Sequence, residues 1–113
     1  MIVSFPDRHF QLWEYRVSHG SLLVRSPCGP RIPDNIDIMF AGVEFLSMPR
    51  HLRGLELDQG NEDEDIRRVS DEFGDVEPSQ VYVLISAGRR HVVVAAGLEV
   101  RRHGGDIFDS PFE

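Results

Sequence analysis

Residues 10–26, FQLWEYRVSHGSLLVRS, decide the fold. With His19-Gly20 as a two-residue turn, the spacing predicts a β-hairpin. Ser18 then faces Ser21, Val17 faces Leu22, Tyr15 faces Val24 and Glu14 faces Arg25. Trp13, Tyr15, Val17, Leu22 and Val24 share one face, while Glu14 and Arg25 form an opposite-charge pair on the other. A one-residue slip would destroy both features, so the pattern specifies its own register. Trp13 and Tyr15 read as packed core aromatics, because a base-stacking platform wants a basic groove and this chain is acidic.

The same logic extends in both directions. Before the hairpin, Ile2, Val3 and Phe5 predict a short edge strand ended by Pro6. After it, the prolines and glycine of 27–33 predict an irregular connection. Residues 36–47 predict a second hairpin with Ala41-Gly42 as its turn, placing Phe40 opposite Val43 and Ile38 opposite Phe45. Leu55 and Leu57 predict a short strand after Gly54.

The period changes over 61–73. Ile66, Val69 and Phe73 fall on one face of a helix, with Asn61 as cap, Glu64 as its reciprocal partner and Gly74 as the stop. Asp63 with Arg67 and Glu64 with Arg68 have favourable i,i+4 spacing. Residues 81–85 and 91–96 are apolar on both faces, which predicts a third hairpin in the middle of the fold with Arg89-Arg90 in water at its tip. Leu98 and Val100 resume alternation, and 103–105 read as a hinge.

The expected fold is therefore mainly β. Antiparallel hairpins form a curved sheet, a partly open barrel or a sandwich, with one short helix inserted before the last hairpin. At 113 residues the chain suits a single β-rich domain over 1–105, with 106–113 as a C-terminal tail. Ile107, Phe108 and Phe112 in that tail fit no strand, which suits either a two-fold homodimer or docking of the tail back onto its own chain.

Chemistry is read mostly by what is missing. His9, His19, His51, His91 and His103 lack zinc-site spacing, and Cys28 is the only cysteine, so no metal or cofactor is expected. A lone thiol, no apolar run of membrane length and no secretory leader predict a cytoplasmic protein. No nucleophile stands beside a base in a known pattern, and no glycine-rich phosphate loop occurs, so no catalytic residue is expected. The acidic run 58–65 fails the calcium-loop pattern, with Gly60 and Val69 at ligand positions.

Charge is the one asymmetric feature. Residues 56–77 hold ten acids and two arginines, a net of 2 − 10 = −8. The whole chain carries −7, so the remainder is close to neutral at +1. That balance argues against nucleic acid and anionic membranes. A solvated insertion that keeps the chain soluble is one reading of the segment. The functional reading is a non-enzymatic protein-interaction or regulatory module, such as an inhibitor or neutraliser of a basic protein partner, with Glu62, Asp63, Asp71 and Glu72 as its contact residues. The alternative is a small-ligand-binding or catalytic barrel with its site at the sheet mouth. A filled interior favours the first class and a concave polar pocket the second.

Overall fold

The first hairpin forms, but around a different turn. The structure, a computed structural model, describes residues 2–60 and 62–104. β1 (Val3–Arg16) and β2 (Ser21–Ser26) are joined by a 3-10 turn over Val17–His19, closed by Gly20 in the left-handed region. The longer loop moves the register by two residues, so Tyr15 opposes Leu22 rather than Val24. A bulge between Leu12 and Glu14 then brings Leu12 opposite Val24 and Gln11 opposite Arg25. Beyond the bulge the even-numbered Phe10 and Leu12, not Trp13, reach the core. Tyr15 is 39% exposed, so its predicted core role fails, and Val17, expected on the same face, is 78% exposed. Glu14 lies 2.7 Å from Arg16 and is not Arg25's cross-strand neighbour.

Pro6 does not end β1. It sits in an irregular stretch between Phe5 and His9, where β1 leaves register with β5 (His51–Gln59). Gly54 occupies the facing position at φ +70°, and a Cβ there would lie 2.8 Å from the Pro6 carbonyl oxygen. Glycine at position 54 thus avoids a clash with the Pro6 carbonyl that any side chain would make.

The predicted second hairpin does not form. β3 (Asn35–Ala41) pairs with β2 and with β8 (Gly97–His103), whereas β4 (Phe45–Ser47) pairs with β7 (Arg89–Val94). Gly42, at φ +63°, turns the chain away against Ala96 instead of folding it back. Ile36, Ile38, Phe40 and Val43 are buried in one cluster, whereas Phe45 is half-buried in the cluster on the helix side.

β6 (Val81–Ser86) and β7 make the last hairpin through Ala87-Gly88, both at positive φ. Among the described residues the sheet has eight strands in the order β4-β7-β6-β5-β1-β2-β3-β8. All pairings are antiparallel, strand accounts for 59% of the described residues, and the sheet stays open rather than closing into a barrel. The last hairpin lies towards one end of the strand order, not in its middle. Its two-sided burial nevertheless holds. Leu84 and Val93 join the main core with Phe10, Leu22, Ile38 and Leu57, while Val81, Val83, Val92 and Val94 meet the helix on the other face.

That helix, α1 (Asp63–Glu72), precedes the last hairpin as expected. Its N-cap is Glu62 and not Asn61, which lies outside the described residues. Acids at its first three positions suit the positive end of the helix dipole. Gly74 donates its N–H to the Val69 carbonyl and ends the helix. Val69 is fully buried, but Phe73 is 42% exposed beside Phe45. Arg68 lies 3.9 Å from Glu72 and hydrogen-bonds the Arg90 carbonyl and the Ser47 hydroxyl, reaching to the sheet. His103 is not a hinge residue. It ends β8 and donates from Nε2 to Asp37 at 2.8 Å. The expected tail, 106–113, lies outside the described residues.

Two ion pairs are built into this frame. Arg25 and Asp37, both fully buried, meet at 2.6 and 3.0 Å between β2 and β3, with the Arg25 guanidinium 5.5 Å from the Trp13 ring. Arg90 meets Asp65 at 3.0 and 2.7 Å, joining β7 to α1, so it is not the free tip residue that was expected. A shallower cluster ties β1 to the far edge, where Asp34 accepts from Arg8 and Arg102 and its carboxyl is held below the usual range, mainly by the Arg8 bond.

Candidate functional site on the acidic helix

The four predicted contact residues all sit at the ends of α1. Glu62 and Asp63 open it, Asp71 and Glu72 close it, and all four side chains are exposed. What holds them there is the apolar stripe behind them. Val69 packs against Val81, Val83, Val92 and Val94, with Ile66 half-buried in the same cluster. Burying a valine of this kind is worth about 1.5–3 kcal/mol, enough to fix a ten-residue helix that propensity alone would leave marginal.

Asp65 belongs to the anchoring side and not to the acidic surface. It lies four residues before Val69, hence on the same face, and is almost fully buried. Its carboxylate accepts two hydrogen bonds from Arg90, which raise the Arg90 pKa further above its ordinary value. Glu62 stands 3.7 Å from the same guanidinium, so one of the four contact residues is partly engaged. Glu72 is similarly near Arg68. Asp63 and Asp71 present their carboxylates outward.

Of the ten acids in 56–77, only Asp58 and Asp65 are drawn inward; the other eight are exposed. Asp58 is stabilised as a carboxylate chiefly by the Gln59 backbone N–H, which lowers its pKa. A shallow cleft of about 290 Å³ continues the surface past the helix end, lined by Glu44, Asp75, Val76, Glu77 and Gln80. Glu44 comes from the connection between β3 and β4, so tertiary folding adds an acid that the sequence segment alone does not contain. Phe73 stays half in solvent at the helix end, between Glu72 and Asp75 in sequence.

The face of the sheet away from α1 offers a ligand little. Phe10, Leu22, Val24, Ile38, Phe40 and Leu57 fill it as one continuous cluster. Among the described residues, no three or more His, Cys, Asp or Glu side chains are grouped to hold a metal ion, and no helix is long and apolar enough to cross a membrane. No family model, curated protein or solved structure matches this chain.

Proposed function

We propose that this protein is a non-enzymatic interaction module whose α1 surface docks on a basic protein, inhibiting or neutralising it. The observation that carries the reading is the exposure of eight of ten acids on and around a helix pinned to the sheet from behind. Like charges crowded on one surface repel each other, and a complementary cationic partner relieves that repulsion. Phe73 supplies an apolar anchor among the carboxylates, the arrangement found at interface centres with polar rims. The packed interior favours the same class, and leaves the alternative, a ligand site at the sheet mouth, only the rim. The lone Cys28 suits a reducing cytoplasm, and the reading includes self-association through 106–113 or a sheet edge.

The test replaces Glu62 and Glu72 by Gln and Asp63 and Asp71 by Asn. Circular dichroism and melting should match the parent, while association with partners isolated on the parent protein slows by about tenfold or more. The parent's own association rate should fall steeply as salt shortens the screening length from about 10 Å to about 3 Å. Equal capture rates for parent and variant would reduce the segment to a solubilising surface.

A further inference from the structure

A cleft of about 450 Å³ lies at the rim of the sheet, between the start of β5 and the β6–β7 turn. Its polar lining is one-sided. β5 contributes His51 and Arg53, the last hairpin contributes Ser86, Arg89 and His91, and no carboxylate lines it. That is unusual in a chain of net charge −7.

The arginines themselves separate into two groups. Arg8, Arg16, Arg25, Arg68, Arg90, Arg101 and Arg102 each stand within 4 Å of a carboxylate. Among the described residues, no carboxylate stands so close to Arg31, Arg50, Arg53, Arg67 or Arg89, and of these five Arg53 and Arg89 face the same cleft. The floor is built rather than accidental. Ser86 is nearly buried and donates its hydroxyl to the Arg53 carbonyl at 3.0 Å, locking the β6–β7 turn to β5. His51 is held by stacking on His9, ring centres 5.2 Å apart. Pro49 and Ala87, both exposed, give the cleft an apolar wall.

We propose that this cleft binds a small phosphate-bearing molecule, its phosphate held between Arg53 and Arg89 and its organic part against Pro49 and Ala87. Paired guanidinium groups match tetrahedral oxyanions in charge and in donor geometry. The volume suits a ligand of metabolite size. The electrostatics agree: His91 is held below its ordinary pKa first by burial and then by the positive charges of Arg68 on α1 and Arg89 beside it. His51 and Arg53 face it across the cleft from β5, so every charged neighbour lining the cleft is basic or titrates to a cation. A bound dianion reverses that field.

The proposal stands apart from the α1 surface, since the two sites share no residue. It is tested by calorimetry with inorganic phosphate and with phenyl phosphate, on the parent, on the Arg53→Gln/Arg89→Gln double variant, and on Arg31→Gln as an exposed control. Saturable binding of either probe to the parent and the control, weakened at least tenfold in the double variant, is the expected result. In parallel, saturating probe should raise the titration midpoint of the His91 ring in the parent, read by NMR. This second measurement needs no variant to fold. Absence of saturable binding, equal binding by the double variant, or an unmoved His91 midpoint would overturn the proposal.

Discussion

Arg25 and Arg90 each meet an aspartate with two hydrogen bonds, yet they do different jobs. Arg25 and Asp37 are both fully buried and belong to adjacent strands; Arg90 is 29% exposed and reaches from a strand to a helix. The first pair lies inside the sheet, where water cannot take the place of a lost partner. The second lies at a seam, where it can. The comparison teaches that the β2–β3–β8 end of the molecule is held by a network whose removal unmakes it, and the α1 end by a clasp that can be loosened.

The largest effect should come from Asp37→Ala. It strands a buried guanidinium and also removes the acceptor of His103, so unfolding free energy should drop by about 3–5 kcal/mol in urea titrations. Replacing Arg25 and Asp37 together by Met and Leu should restore most of the loss, because paired apolar groups carry no desolvation cost. A double variant no better than the single would place the damage in packing rather than charge.

Asp65→Ala should cost less, about 1–3 kcal/mol, and its loss should be local. Hydrogen exchange should quicken in α1 while β1, β2 and β3 keep their protection. Uniform quickening would erase the distinction between network and clasp.

The smallest effect concerns pH. The folded protein holds His91 below its ordinary pKa, so the unfolded chain binds that proton more readily. Stability contributed by neutral His91 is present above about pH 6.5 and is lost as pH falls towards the folded value. His91→Asn should flatten this part of the stability curve, measured by melting between pH 5 and pH 8 at steps of about one unit. An unchanged slope would show that the cleft does not sense the proton.

Much of the architecture was legible, for local reasons. Ile66 and Val69 announce a helix by spacing, and the apolar strands of 81–94 announce their two covered faces. Each of those signals is local in sequence. The pairing of β3 with β8 carries no such signal: the alternation of Ile36, Ile38 and Phe40 says that a face is buried but not by which neighbour. The first hairpin misled because a 3-10 turn and a bulge at Trp13 each moved the register, and neither leaves a mark in the hydrophobic pattern. The acidic surface was visible because exposure of charge is the default. Asp65 could have been set apart from it, since it shares a helical face with Val69. The rim cleft was hidden because His51 and Arg53 meet Arg89 and His91 only through folding.

The β3–β8 pairing has a consequence for the order in which the chain is made. Asp37 and His103 touch across 66 residues of sequence. At roughly 5–20 residues per second, β3 leaves the ribosome about 3–13 s before the strand that covers its edge. During that interval its backbone is open to pairing with other nascent chains. Arg25, only twelve residues away, can meet Asp37 at once. The nascent sheet therefore waits with a charged residue, Asp37, on its open strand, and a charged rung is a poor template for a stranger's strand. The residues that lock the finished fold thus also guard the unfinished one.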